Sequence, residues 1–348
     1  VKILISGNEA AGEGAVAAGC RHYYGYPITP QNELTAHMSR RMEELGGVFV
    51  QAESELAAIN MVFGSAVAGK RAMTSSSSPG ISLKQEGISY LAGCRLPAVI
   101  INVQRGGPGL GNIAPSQADY YQATRGGGHG DYRTPVLAPD SVQEVYDLTI
   151  DAFDLADKYR TPVLVLMDGR IGQMMEPADL HPAKERTDLP AKDWALTGCD
   201  GRDPQLIRSL FLNEDKLEEL NMVLAGVYRE IGKNEQRSQE YLMDDADVCI
   251  VAYGTSARIS REAIRLLRAD GAKVGLLRPI SLWPFPAEAM GKAAEKVKAL
   301  VAVEMSLGQM IDDVRLTTEC RRPVGFCGRT GGNAPTTDEI VEEVKKYL

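Results

Sequence analysis

The chain has 348 residues, 44% of them hydrophobic, and its 46 acidic against 38 basic residues give a net charge of −8. Single cores seldom grow past about 250–300 residues, so two packed domains are expected. The acidity disfavours nucleic acid and anionic membranes, both of which reward basic patches, and no apolar run approaches the roughly 20 residues that span a bilayer.

The first residues, Val1-Lys2-Ile3-Leu4-Ile5, lead at once into Ser6-Gly7-Asn8 rather than into a secretory apolar core, and the chain reads as cytoplasmic. Its six cysteines, Cys20, Cys94, Cys199, Cys249, Cys320 and Cys327, form no C-x-x-C pair. No metal site is expected on this chain alone, and most of these thiols read as small buried hydrophobes in a reducing compartment.

From residue 2 to about 168, short β-rich runs alternate with helical patterns in the manner of a parallel α/β sheet. Strands are expected at 3–6, 23–26, 48–52, 72–75, 98–103, 135–138 and 162–167. Ser141-Val142-Gln143-Glu144 fits a capping box, in which Ser141 and Glu144 satisfy each other's free N–H groups, and Val145, Leu148, Ala152 and Leu155 then recur at helical spacing. Residues 176–245 read as a connecting arm, with Pro177, Pro182 and Pro190 ahead of a charged helical segment at 204–242. Alternation resumes with strands at 248–253, 274–277, 300–303 and 324–327. A first domain over 1–175 and a second, smaller α/β domain over 246–348 follow.

In parallel sheets ligands gather beyond the carboxyl ends of the strands. Four loops with unusual residues sit there. Gly25-Tyr26-Pro27-Ile28-Thr29-Pro30 brackets a threonine hydroxyl between two prolines that fix φ, so the hydroxyl is presented from an extended loop. Gln51-Ala52-Glu53-Ser54-Glu55 puts carboxylates where an apolar run hands over to a helix beginning near Ser54. Thr74-Ser75-Ser76-Ser77-Ser78-Pro79 and Gln104-Arg105-Gly106-Gly107-Pro108-Gly109 complete the set. Each has a plainer role open to it: Thr29 as a helix cap, Glu55 as a dipole partner, Arg105 in a surface pair, the serines as a turn. The glycine-rich pieces match neither the G-x-G-x-x-G fingerprint nor a P-loop.

Together these residues resemble the α-subunit, or domains I and II, of the 2-oxoacid:ferredoxin oxidoreductases, over nearly the whole chain. The Y-P-I-T-P loop, Glu55 with Leu56-Ala57-Ala58-Ile59-Asn60, the serine run and the Arg105 loop carry the resemblance. Gln51-Ala52-Glu53-Ser54-Glu55, Ser75-Ser76-Ser77-Ser78 and Gly126-Gly127-Gly128-His129-Gly130-Asp131-Tyr132 are similar to the branch acting on 3-methyl-2-oxobutanoate (2-oxoisovalerate), with the 2-oxoglutarate branch sharing the scaffold.

The resemblance implies a thiamine diphosphate-binding, pyrimidine-type parallel-sheet domain followed by a transketolase C-terminal-like α/β domain. It implies an enzyme that uses thiamine diphosphate, coenzyme A and iron–sulfur clusters to decarboxylate a 2-oxoacid oxidatively, with ferredoxin as electron acceptor. Glu55 is then the catalytic glutamate at N1′ of the aminopyrimidine, and burial is expected to compete there with the helix N-terminus for its proton. Thr29 and Arg105, with Pro27 and Ile28, take the substrate carboxylate; Tyr26, Pro27, Ser76, Ser77 and Ser78 line the cofactor. The chain lacks the G-D-G…N motif that holds magnesium and the diphosphate, Gly130-Asp131-Tyr132 having the wrong third residue, and it lacks four-cysteine runs. Mg2+ and [4Fe-4S] clusters are therefore expected on partners: a β-subunit, and γ and ferredoxin-like δ chains. A non-catalytic scaffold of the same fold, and a nucleotide-binding protein using Gly254-Thr255-Ser256, are the competing readings.

Overall fold

A computed structural model describes residues 2–183 and 186–348. In chain order the first part comprises β1 (Lys2–Ser6), α1 (Gly7–Ala17), β2 (His22–Gly25), α2 (Asn32–Glu44), β3 (Val48–Gln51), α3 (Glu55–Val67), β4 (Ala72–Ser76), α4 (Ser78–Gly93), β5 (Ala98–Gln104), α5 (Tyr120–Arg125), β6 (Val136–Leu137), α6 (Val142–Tyr159), β7 (Pro162–Asp168), α7 (Gly169–Gln173) and β8 (Met175–Asp179). There follow α8 (Glu214–Asn234), β9 (Ser238–Tyr241), β10 (Val248–Val251), α9 (Gly254–Ala269), β11 (Val274–Pro279), β12 (Ser281–Trp283), α10 (Ala287–Lys296), β13 (Ala299–Glu304), α11 (Met310–Thr317), β14 (Val324–Gly328) and α12 (Thr337–Lys345).

β5 and β7 pair in parallel at the centre of a seven-stranded sheet of order β12-β6-β7-β5-β4-β2-β3. Every residue of both strands is buried, which is what an aliphatic, β-branched run achieves when helices cover both faces. The order turns back on itself beside β2: the chain leaves β2 for β3 on one side and returns through α3 to β4 on the other. Loops at such a switch point splay apart and leave a crevice at the strands' carboxyl ends.

Several expectations shift. The strand at 3–6 forms, but it pairs antiparallel with β8 in a two-stranded sheet instead of joining the parallel one. Its first three residues are exposed, so it has no face to bury in a central position. The helical segment expected over 204–242 is a helix only from Glu214 to Asn234, and β9 then joins the second sheet, antiparallel to β11. That sheet has the order β14-β13-β10-β11-β9. β12 crosses back to pair antiparallel with β6 of the first sheet.

Half of the capping box at α6 is present. Ser141 accepts from Glu144 N at 3.2 Å, but the Glu144 carboxylate turns to Asp140 N at 3.0 Å and to the guanidinium of Arg278 at 2.6 and 2.7 Å. Arg278 on β11 is 1% exposed, and its charge outcompetes a neutral N–H for the carboxylate. Burial raises the proton affinity of Glu144, yet the Arg278 bonds outweigh it and hold the carboxyl below the usual glutamate range. The second half of the chain is also anchored through Asp168, which accepts from Thr255 N and Thr255 Oγ1 at 2.9 and 2.7 Å, and through Gln117, which bonds Tyr253, Ser256 and Met305.

Glu144→Gln leaves Arg278 buried with its charge no longer balanced by that carboxylate, and it is expected to destabilise the chain by about 3 kcal/mol. Urea unfolding of parent and variant at pH 7 measures this, and a difference below about 1 kcal/mol would remove the ion pair from the account of the fold.

Candidate functional site

Three of the four expected loops converge at the switch point, and the fourth reaches them through Arg105. Ser54 caps α3 by accepting from Ala57 N at 3.1 Å, which places Glu55 at the first helical position and turns it inward, 6% exposed. Glu53, one residue before the cap, is exposed. β4 extends through Ser76, and α4 starts at Ser78 with Pro79 in its first turn, where the missing N–H is no loss.

The close approach is made by Gly80. A Cβ there would lie 2.1 Å from Ser76 Oγ and 2.5 Å from Glu55 Oε1, so only glycine lets the start of α4 meet the Glu55 carboxylate. Around it, Thr74 Oγ1, Ser76 Oγ and Ser77 Oγ are buried and make no hydrogen bond among the described residues. Ser78 is engaged: its hydroxyl accepts from Arg105 N at 3.0 Å and donates to Asp119 at 2.6 Å.

Arg105 is 6% exposed and donates to the main-chain oxygens of Thr29 and Leu110 at 2.9 and 3.0 Å, its Nε remaining unpartnered. It therefore sits under the Tyr26-Pro27-Ile28-Thr29 loop, in which Tyr26 and Pro27 are exposed and Ile28 and Thr29 half-buried. Thr29 does not cap α2. Gln31 takes that position without a side-chain cap bond, and Thr29 Oγ1 accepts from Asn32 Nδ2 at 3.2 Å. The Thr29–Pro30 peptide is cis.

Three supporting residues carry no signal in the loops themselves. Gln31, fully buried, accepts from Ser75 and Thr35 and donates to Tyr26 O, tying the first loop to β4. Asp119 accepts from Ser78 and Asn102, and burial raises its pKa against the lowering effect of those two bonds. Lys84 is 0% exposed, with Nζ 3.4 Å from the main-chain oxygen of Glu55. Burial drives its pKa down to about 8 while the Glu55 charge opposes that shift. The signal for Lys84 is a lysine one turn after Gly80, on a face that otherwise holds glycines.

The Gly126–Tyr132 stretch packs on the flank of α4, with Gly128 N donating to Tyr132 Oη and Ser89 donating to His129 O. The Gly254-Thr255-Ser256 turn opens α9, and the carboxylate of Asp168 already occupies that helix start; a nucleotide phosphate has no place there. Among the described residues no group of three His, Cys, Asp or Glu side chains is placed to hold a metal, and no helix is long and apolar enough to cross a membrane.

Residues 13–205 match the family model for pyruvate flavodoxin/ferredoxin oxidoreductase, thiamine diphosphate-binding, and residues 246–340 match pyruvate:ferredoxin oxidoreductase core domain II. The chain belongs to the 2-oxoacid:ferredoxin oxidoreductases, a family of oxidoreductases, and it contains the segment by which that family binds thiamine diphosphate. It is 51% identical over 343 residues, 99% of this chain and 97% of the relative, to the ketoisovalerate oxidoreductase subunit VorB of Methanothermobacter marburgensis. With the 2-oxoglutarate synthase subunit KorA of Archaeoglobus fulgidus it shares 40% over 323 residues, 91% and 92% of the two chains.

The solved 2-oxoglutarate:ferredoxin oxidoreductase from Magnetococcus marinus, with 2-oxoglutarate, coenzyme A and succinyl-CoA bound, has a TM-score of 0.87 at 28% identity over 99% of this chain. This chain spans 65% of that longer one. A split gene transketolase shares the fold, with a TM-score of 0.63 at 18% identity over 99% of this chain and 98% of that one. The unpartnered hydroxyls and the buried Glu55 carboxylate suit the polar edge of an aromatic cofactor.

Gly80→Ala tests the close approach of α4 to Glu55. Alanine gains roughly 1 kcal/mol of helix propensity over glycine, offsetting much of the crowding, so the chain is expected to fold and assemble. The added methyl displaces the Glu55 carboxylate, and a misplacement of this order costs about 100-fold in turnover of the assembled enzyme. Parental kcat in a folded variant would show that the approach at Gly80 is incidental.

Proposed function

We propose that this chain supplies the pyrimidine side of a thiamine diphosphate site in a multi-subunit enzyme of the cytoplasm. That enzyme converts a branched-chain 2-oxoacid, 2-oxoisovalerate, with coenzyme A to the acyl-CoA and CO2, passing electrons to ferredoxin. The observation that carries the reading is the Glu55 carboxylate, buried at the switch point beside three unpartnered hydroxyls. The reducing compartment is supported by six cysteines that are all free.

Thiamine diphosphate, when bound, supplies the nucleophilic carbon and the electron sink that decarboxylation of a 2-oxoacid needs. The chain's own residues do the rest of this half of the site. Glu55, held in place by the Ser54 cap and by Gly80, would hold the pyrimidine edge of the cofactor and carry a proton on its carboxylate. Ser76 and Ser77 offer hydroxyls to the cofactor, and Ser78 holds the Arg105 main chain in register with them. Tyr26, Pro27 and Ile28 cover the edge of the pocket.

Thr29 Oγ1 and Arg105 orient the substrate carboxylate. Arg105 spends two donors on main-chain oxygens, which fixes the guanidinium plane and leaves Nε without a partner. The carboxylate must depart as neutral CO2, so these contacts set binding and orientation more than the barrier.

Magnesium, the diphosphate and the [4Fe-4S] clusters are assigned to a β-subunit and to γ and ferredoxin-like δ chains, because this sequence lacks the motifs that would hold them. The named relatives are subunits, which supports an assembly of several chains. Exposed Leu110 and Ile113, beside the Arg105 loop, suit a surface that a partner covers.

The VorB relatives support the branched substrate, and the KorA relatives support 2-oxoglutarate less strongly. A second carboxylate needs a second cation. Arg125 is taken by Asp313 at 3.0 Å, and Lys84 lies six residues beyond Ser78, about 9 Å along α4, on the side facing α3. A branched tail needs only apolar walls, where each buried methylene contributes about 0.8 kcal/mol.

Two measurements decide the reading. In the assembled enzyme Glu55→Gln is expected to abolish turnover and exchange of the cofactor's C2 proton while leaving assembly intact; an unimpaired exchange rate removes Glu55 from its role. Steady-state kinetics with pyruvate, 2-oxoisovalerate and 2-oxoglutarate are expected to favour 2-oxoisovalerate over 2-oxoglutarate by at least about tenfold in kcat/KM, or roughly 1.4 kcal/mol. A preference for the dicarboxylate overturns the substrate and keeps the enzyme class.

A further inference from the structure

The face of α4 that meets α3 reads Gly80, Lys84, Gly87, the spacing of residues that stack on one side of a helix. Both glycines mark contact distance between the helices: a Cβ on Gly87 would lie 2.5 Å from Ile59 Cγ2, as one on Gly80 would from Glu55 Oε1. Between them Lys84 is entirely buried. Its ammonium has three donors, and within the chain one of them is used, on the main-chain oxygen of Glu55 at 3.4 Å. An apolar side chain would fill the same space without the cost of burying a charge. Packing therefore does not account for a lysine at this position.

We infer that Lys84 is a positioning residue for Glu55, pinning the first turn of α3 through its main-chain oxygen and supplying the positive charge that balances the carboxylate. This rests on the reading of Glu55 given above. The surroundings contain little else that is charged. α3 brings Glu55; β4 brings neutral Thr74, Ser75 and Ser76; β5 has no ionisable residue; Asp168 at the end of β7 faces Thr255; and Glu86, on α4 itself, is exposed and bonded to Tyr90. His129 and Asp131, on the stretch that flanks α4, are exposed, and Glu55 is the charge that opposes the effect of burial on Lys84. Because burial pulls the ammonium down to about 8, the balancing charge is present at neutral pH and disappears on mild alkalinisation.

The test compares Lys84→Met, Lys84→Arg and Glu55→Gln in the assembled enzyme. Lys84→Met is expected to slow C2-proton exchange of the bound cofactor by about tenfold or more, with KM for the 2-oxoacid changed far less. The parent is expected to show an alkaline limb in exchange near pH 8 that is absent from Lys84→Met, whereas Lys84→Arg, which keeps its charge, restores most of the rate without that limb. Lys84→Met removes the desolvation cost of the ammonium and at the same time takes the counter-charge from buried Glu55; the two effects oppose each other, so the Tm of the variant at pH 7 is expected to stay close to the parent's. The folded pKa of Lys84 lies below its ordinary 10.5, so the penalty is full below about 8 and fades as pH rises between the two.

Exchange in Lys84→Met within about twofold of the parent, with the same pH profile, overturns the inference. So does a Tm well below the parent's, which would mark Lys84 as a strut of the fold. If Glu55→Gln is inert while Lys84→Met is normal, the lysine alone is misassigned; if Glu55→Gln exchanges at the parental rate, the reading of Glu55 falls and takes the lysine with it.

Discussion

The contact between α3 and α4 is set by two missing side chains, and what it encloses is costly. Gly80 and Gly87 let the helices approach until the Glu55 carboxylate and the Ser76 hydroxyl both reach the start of α4 and the Lys84 ammonium is enclosed between the helices, each with few partners of its own. A buried polar group left unsatisfied costs about 1–3 kcal/mol, and a buried charge more. The aliphatic strands β5 and β7, buried along their whole length, provide the compensating burial in the sheet immediately beside them. Unmet polarity is concentrated where a ligand can relieve it, and the helix interior behind the site is packed with Ala58, Ile59, Val62 and Ile88 in the ordinary way.

The second half of the chain matters to this site as well. The stretch from Arg105 to Tyr120 connects β5 to α5, and that half grips it at several points, among them Ser116, Ala118 and Tyr120. Gln117 accepts from Ser256 and Met305 and donates to Tyr253 O, and Asn112 donates to Gly331 O at 2.8 Å. Arg105 is thus held between α4, through Ser78, and a loop whose far end is bolted to β13 and α9. The tip between them, residues 107–113, is exposed and carries Leu110 and Ile113 outward. Leu110 also accepts from Arg105 through its main-chain oxygen, so a contact that another chain makes on this tip reaches the guanidinium directly.

The alternation of strands and helices, the carboxyl-end loops and the start of α3 at Ser54 were legible in the sequence because each depends on residues close together in the chain. Strand order was not. The one-residue spacing between Ser76 and Ser77 does not show that one ends a strand and the other caps a helix, nor that β1 would leave the parallel sheet for β8. Glu144 illustrates the limit: its local pattern is a capping box, but Arg278, 134 residues away, decides where the carboxylate points. Lys84 was hidden for the opposite reason. A lysine in a helix is ordinarily solvated, and only the packing of Gly80 and Gly87 against α3 makes its burial visible.

In the proposed function, rate and selectivity then reside in different parts of the molecule. The α3–α4 contact handles a proton and presents no surface to the substrate's side chain, so changes there alter the chemistry for every 2-oxoacid alike. Arg105 and Thr29 meet the carboxylate common to all of them and likewise discriminate poorly. Selection among side chains falls to the uncharged walls near Leu110 and to whatever a partner chain adds opposite them, where one methylene is worth about 0.8 kcal/mol and an unpaired carboxylate is opposed by several times that. Relatives at 51% and 40% identity named for different oxoacids on one scaffold are the expected result of that division, since the substrate can change at the walls while Glu55, Gly80 and Arg105 stay as they are.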